Sequence, residues 1–160
     1  MKNVSSAPIT VLNGYLPDLS VLSNDPFYDY IDAYQVIIPS TKTISSDALA
    51  KAFFSSDSKW IKRLFELRNK VVSLFGLKTG KEAVRQNPPA SYPVGTSVGL
   101  FKILEKTENE IIMGENDRHL DFKVSLLAQQ TENINSSITI LTVVNYHNWL
   151  GRDYFFFVKQ

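Results

Sequence analysis

The sequence has no cysteine. That excludes a disulfide scaffold, a thiolate zinc site and a cysteine nucleophile, and it fits a reducing cytoplasm. Histidine is scarce: His119 and His147 are the only two, so an imidazole-based metal site has few ligands to draw on. Neither sign of charge dominates, since 17 Lys and Arg stand against 16 Asp and Glu for a net charge of +1. A balance of that kind creates no global field for nucleic acid or an acidic membrane. No apolar run approaches the ~20 residues of a bilayer span, and Met1-Lys2-Asn3-Val4-Ser5-Ser6 has no apolar signal region. G-x-S-x-G, the phosphate-binding Walker loop, the dinucleotide fingerprint and H-E-x-x-H are all missing. The expectation from these absences is a soluble cytoplasmic protein with no cofactor, no bound metal, no nucleic-acid partner and no membrane insertion.

What is present reads as one globular unit. Hydrophobic residues at 44% and charged residues at 21% are near the globular average, which argues against disorder. Residues 1–26 carry the turn signals Asn13-Gly14, Leu16-Pro17-Asp18 and Asn24-Asp25-Pro26 and read as an irregular arm. Tyr15, Leu16, Leu19, Val21 and Leu22 could pack it onto the domain formed by 27–160. Tyr30 to Ile38 is rich in Tyr, Val and Ile and stops at Pro39, as a strand does. Ser45 or Ser46 caps a short predicted helix to about Phe54. Asp57 or Ser58 caps a longer one, with Trp60, Leu64, Leu67, Val71 and Leu74 stepping by three or four before Gly76. Lys59, Lys62, Arg63, Arg68 and Lys70 are then the solvated side of that helix.

Residues 77–98 hold three prolines and two glycines and read as a long loop, either a lid or a surface loop pinned by Tyr92. From Gly99 the period is two. Strands are predicted over Leu100 to Thr107, Glu110 to Gly114, Arg118 to Gln129, Ser136 to His147 and Arg152 to Lys159. Leu120, Phe122, Val124 and Leu126 share one face of the third of these, with His119, Asp121, Lys123 and Ser125 on the other. The default for the polar set is a solvated sheet face. The predicted fold class is therefore α+β: a curved antiparallel sheet of about six strands with two helices inserted after the first strand.

Three segments carry a resemblance. Leu67-Arg68-Asn69 with Gly76-Leu77-Lys78-Thr79, then Gly114-x-x-Asp117-x-His119-Leu120-x-Phe122, then His147-Asn148-x-x-Gly151-Arg152-x-Tyr154-Phe155 resemble the bacterial family catalogued as domain of unknown function 2867. The likeness runs from about Tyr28 to the end. The resemblance implies the START-like, helix-grip fold of Bet v 1-related proteins, with a cavity between sheet and helices, and it implies no particular activity. A helix-grip domain ends in a long helix, whereas this sequence ends at Gln160 directly after the last predicted strand. The C-terminal helix is thus expected to be absent, leaving Tyr154 and Phe156 on one face and Phe155 and Phe157 on the other. A homodimer or the N-terminal arm would cover the exposed set.

The candidate ligand-binding residues are Tyr34, Arg68, Asp117, His119, His147, Arg152, Tyr154 and Phe156. His119 and Asp121, one step of two apart on a strand, are about 6–7 Å apart along the backbone; with His147 they could hold a metal, but a solvated face with cross-strand pairs is the favoured reading. Asp117 suits an Asx-type turn, and Arg152 a carboxylate partner. The leading functional expectation is a non-enzymatic domain for a small apolar or amphipathic ligand between sheet and helix. One alternative is a hydrolase or isomerase using His119 or His147 with Asp117 and Arg152. The other is a protein-interaction domain using the concave sheet face.

Overall fold

The computed structural model describes residues 8–12, 14–25, 27–56, 89–98, 101–116, 120–131 and 134–147. These residues form one antiparallel sheet of seven strands and one α-helix. The strands are β1 (Ile9–Val11), β2 (Tyr30–Pro39), β3 (Ser97–Val98), β4 (Phe101–Lys106), β5 (Glu110–Asn116), β6 (Leu120–Thr131) and β7 (Asn135–Tyr146). Helix α1 spans Ser46–Ser55, and a 3-10 turn spans Val21–Asn24. The strand order is β1-β2-β7-β6-β5-β4-β3.

This corrects the expected fold class. The sheet has seven described strands rather than about six, and the helix follows the second strand rather than the first. A single α-helix is present among the described residues, not a pair after the first strand. The two unpredicted strands, β1 and β3, have three and two residues, too few for a period of two to show. The longer helix predicted after Asp57, the strand predicted over Arg152 to Lys159 and the aromatic faces of Tyr154 to Phe157 lie outside the described residues.

Helix α1 starts where Ser45 accepts the Ala48 N–H at 3.3 Å, a side-chain cap on a free first-turn donor. Asp47 sits in that first turn, where a negative charge meets the positive end of the helix dipole. Its carboxylate also accepts from Lys106 Nζ at 2.6 Å and from the Tyr92 N–H at 2.9 Å. The Lys106 hydrogen bond, opposed by burial, holds the Asp47 carboxyl below its ordinary value. The Ser46 hydroxyl donates to the Thr107 carbonyl at 2.7 Å. One end of α1 is thereby tied both to the β4–β5 turn and to the segment before β3.

Both faces of the sheet are covered. On the first, Leu49, Ala50 and Phe53 of α1 pack with Tyr92, Phe101, Ile103, Ile111, Met113, Val124, Leu126 and Ala128. Tyr92 is fully buried and stacks on Phe54 with centroids 5.6 Å apart. On the second, Leu22 and Tyr28 pack with Ala33, Ile112, Leu141 and Val143, flanked by Leu12, Leu16 and Val21. The solvated face expected for Asp121, Lys123 and Ser125 is therefore corrected: Ser125 has no exposure at all. The segment from Leu12 to Tyr28 brings its own apolar side chains over that face, although Tyr15 and Leu19 point outward.

Candidate functional site

Strand β2 begins Tyr30-Ile31-Asp32-Ala33-Tyr34. Alternation sends Ile31 and Ala33 into the core beneath the N-terminal segment, so Tyr30, Asp32 and Tyr34 share the helix-side face. They stand opposite Val144, Thr142 and Ile140 of β7. Helix α1 packs over β5 and β6, so this row lies beside the helix rather than under it. All three residues are half-buried. Tyr30 and Tyr146 pack against Leu120 and Val144, which gives the row an apolar floor at one end.

The electrostatics tie the row together. Burial, then the negative charge of Asp32, pushes the Tyr30 phenol up to about 12. Burial and Asp32 raise Tyr34 in the same way. Tyr146 is pushed up to about 12 by burial and by Asp29, whose carboxylate accepts the Tyr146 N–H at 2.7 Å. The row is a carboxylate between two neutral phenols, with a third phenol near one end. No lysine or arginine forms an ion pair with Asp32 among the described residues.

A second polar group lies on the opposite face. His147 Nε2 is 3.0 Å from Asp121 Oδ2. The other oxygen, Asp121 Oδ1, is buried without a hydrogen-bond partner. A histidine oriented by a carboxylate is an arrangement that general-base chemistry uses, but none of the described residues adds a third metal ligand here.

A third group is wholly interior. Glu110, 1% exposed, accepts from Ser20 Oγ at 2.6 Å, Ser125 Oγ at 2.5 Å and the Val21 N–H at 2.8 Å. It fastens the N-terminal segment to β5 and β6, and its inaccessibility makes it structural.

Of the predicted site residues, Tyr34 and His147 fall in the described chain, and they do not converge: Tyr34 is on the helix-side face and His147 pairs with Asp121 of the other. Arg68, Asp117, His119, Arg152, Tyr154 and Phe156 lie outside the described residues. Sequence reasoning missed Tyr30, Asp32 and Glu110. The Tyr-x-Asp-x-Tyr repeat of period two was the available signal for the first two, because it puts a charge between aromatics on one face. A hollow of about 340 Å³ lined by Pro39, Ser40, Thr41, Lys42 and Ile134 contains none of the candidates.

A family model described as protein of unknown function (DUF2867) matches residues 26–160. No curated protein and no solved structure matches the chain.

Proposed function

We propose that this chain, which belongs to the DUF2867 family of proteins of unknown function, is a non-enzymatic binding domain for a small amphipathic molecule. The molecule lies on the helix-side face over β2 and β7. The observation that supports this reading is the half-buried Tyr30–Asp32–Tyr34 row beside α1, where aromatic surface and a charge share one strand face. Ligand sites combine apolar walls with a few placed polar groups in this way. The bacterial cytoplasm is part of the same proposal, and the cysteine-free composition fits it.

Native mass spectrometry of protein purified from cells tests the reading. A retained small molecule that is lost in Tyr34→Ala at unchanged thermal stability is the expected result. No retained species, together with no shift in melting temperature across a library of amphipathic compounds, would refute it.

A second reading rests on the His147–Asp121 pair with its unpartnered buried oxygen. Here His147 would act as a base held in orientation by Asp121. An esterase or isomerase activity abolished equally by His147→Gln and Asp121→Asn would favour this reading over the first.

A further inference from the structure

The sheet ends on one side in β1, and the backbone of that strand has an open outer rim. The Leu12 N–H donates to the Ala33 carbonyl at 2.8 Å, one step beyond the Val11–Tyr34 pair of the β1–β2 register. Backbone direction alternates along an antiparallel strand, so Thr10 and Leu12 face β2 while the N–H and C=O of Ile9 and Val11 face away from it. No described residue bonds to those outward groups. The side chains are open as well: Ile9 is 70% exposed, Val11 is 50% exposed, and Thr10 is exposed too. Ile9 and Val11 share one face of the strand and Thr10 takes the other. Pro8, one step before β1, falls on the inward-facing parity and so removes no donor from the outer rim. Sheet edges are ordinarily guarded by charged side chains. The far edge follows that rule, with a two-residue β3 backed by exposed Lys102 and Glu105 on β4. At the near edge neither β1 nor β2 from Ala33 to Pro39 carries a charge.

We propose that β1 is the contact through which two copies of this chain pair, antiparallel, about a two-fold axis at Thr10. A second copy is the occupant because the strand is complementary to itself. An axis at Thr10 sets Ile9 of one copy opposite Val11 of the other. Both are outward-facing residues, so each such pair exchanges two N–H···O bonds across the join. The β-branched side chains of Ile9 and Val11 meet there as a favourable cross-strand pair. On the other face Thr10 meets Thr10 of the other copy, hydroxyl against hydroxyl. A slip by one residue would bring outward groups against inward-turned ones and lose these bonds. So short a strand buries well under the ~1,200 Å² of a stable interface, which makes the association weak and reversible. β1 precedes residue 26, where the family match begins, so membership of the family does not imply the pairing.

The test is sedimentation velocity of the full chain from about 10 μM to about 1 mM, the range suited to an interface this small. The expected result is a monomer at the low end and a dimer at the high end. Amide exchange at Ile9 and Val11 slows as concentration rises, while exchange at Thr10, whose N–H faces β2, does not. Thr10→Lys sets two like charges face to face across the axis and weakens pairing about fivefold or more, and Thr10→Glu does the same. An equimolar mixture of the two variants restores pairing, because opposite charges then meet at the axis. Val11→Pro removes one donor from each Ile9–Val11 pair and weakens pairing about tenfold or more; the N–H it deletes has no described partner within the chain. All three variants keep the native melting transition at the low concentration. A native chain that is still monomeric at ~1 mM overturns the proposal. So does a dimer that survives Thr10→Lys and Val11→Pro alike, since its contact lies elsewhere.

Discussion

Replacing Glu110 by Gln probes the attachment of the N-terminal segment with the least change of shape. In the native protein three donors converge on one carboxylate: two serine hydroxyls and the Val21 N–H. Among the described residues no lysine or arginine pairs with it, so these donors supply the compensation for its burial. A hydrogen bond to an ionised acceptor contributes about 1.5–3 kcal/mol net. A glutamine offers one carbonyl oxygen and one NH2. If the oxygen faces the serines, the NH2 confronts the Val21 N–H; if it faces Val21, both hydroxyls lose their acceptor. Either way a buried donor is stranded, at about 1–3 kcal/mol. Part of that is offset because a neutral amide costs less to bury than a carboxylate. The expected loss is about 1–2 kcal/mol for Glu110→Gln. For Glu110→Ala, which also opens a void, it is about 3–4 kcal/mol.

Urea melts give the stability, and amide exchange of Val21 gives the local effect. Exchange at Val21 should accelerate more than exchange in β6, because the segment loosens before the sheet does. The residual attachment is apolar, through fully buried Leu22 and through Tyr28, whose hydroxyl lies 2.9 Å from the Leu22 carbonyl oxygen. Both variants within ~0.5 kcal/mol of the native protein, the usual range for an inconsequential surface change, with Val21 exchange unaltered, would refute the reasoning. The apolar contacts would then hold the segment unaided.

Three further outcomes follow from the same structure. Gly114→Ala should destabilise by about 1–3 kcal/mol or more in urea melts, because a Cβ there would stand 2.0 Å from the Phe122 carbonyl oxygen, which is backbone and cannot turn aside; native-like stability would show that β5 and β6 can part without cost. Asp47 has a folded carboxyl below its ordinary value of 3.8, so its contribution is present above that value and is lost as pH falls through the folded pKa; stability followed from pH 5 downward should fall more steeply in the native protein than in Asp47→Asn, by a margin under ~1 kcal/mol for so accessible a pair. Tyr30 has the opposite sign: its folded pKa of about 12 lies above the ordinary 10.0, so its contribution is complete below pH ~10 and is lost as pH rises toward ~12, and Tyr30→Phe should flatten the alkaline limb of the stability curve.

The legible part of this fold was the part with a strong period. Tyr30 to Ile38 and the four strands after Gly99 were visible because each runs six residues or more, long enough for alternation to declare itself. Helix α1 was visible through the Ser45 cap. The three residues of β1 pair with Val36, Gln35 and Tyr34, and that pairing is a tertiary fact no window of three can reveal. The candidate site was half legible: Tyr34 was named, and Asp32, two positions earlier on the same face of β2, was not.

The solvated default for Asp121, Lys123 and Ser125 concealed the second covered face, and the sequence held the contrary signal. A strand with one wet face alternates, yet β5 reads Glu110-Ile111-Ile112-Met113, with every one of these residues buried. Leu126 and Leu127 in β6 are likewise adjacent and both buried. Adjacent buried hydrophobes point to opposite faces, so each pair requires cover on both sides. The polar residues interleaved on the second face are the exceptions such cover must accommodate, and each has a partner. Ser125 donates to Glu110, Lys123 lies 3.3 Å from the Asp25 carboxylate, and Asp121 meets His147. Two of those three pairings depend on the segment before residue 26, which lies outside the family match: Asp25 directly, and Glu110 through Ser20 and Val21. Chain supplied from beyond the matched region thus turns a polar sheet face into an interior one. On the helix-side face Asp32 has partners of its own, since the Tyr30 and Tyr34 side chains hydrogen-bond its carboxylate.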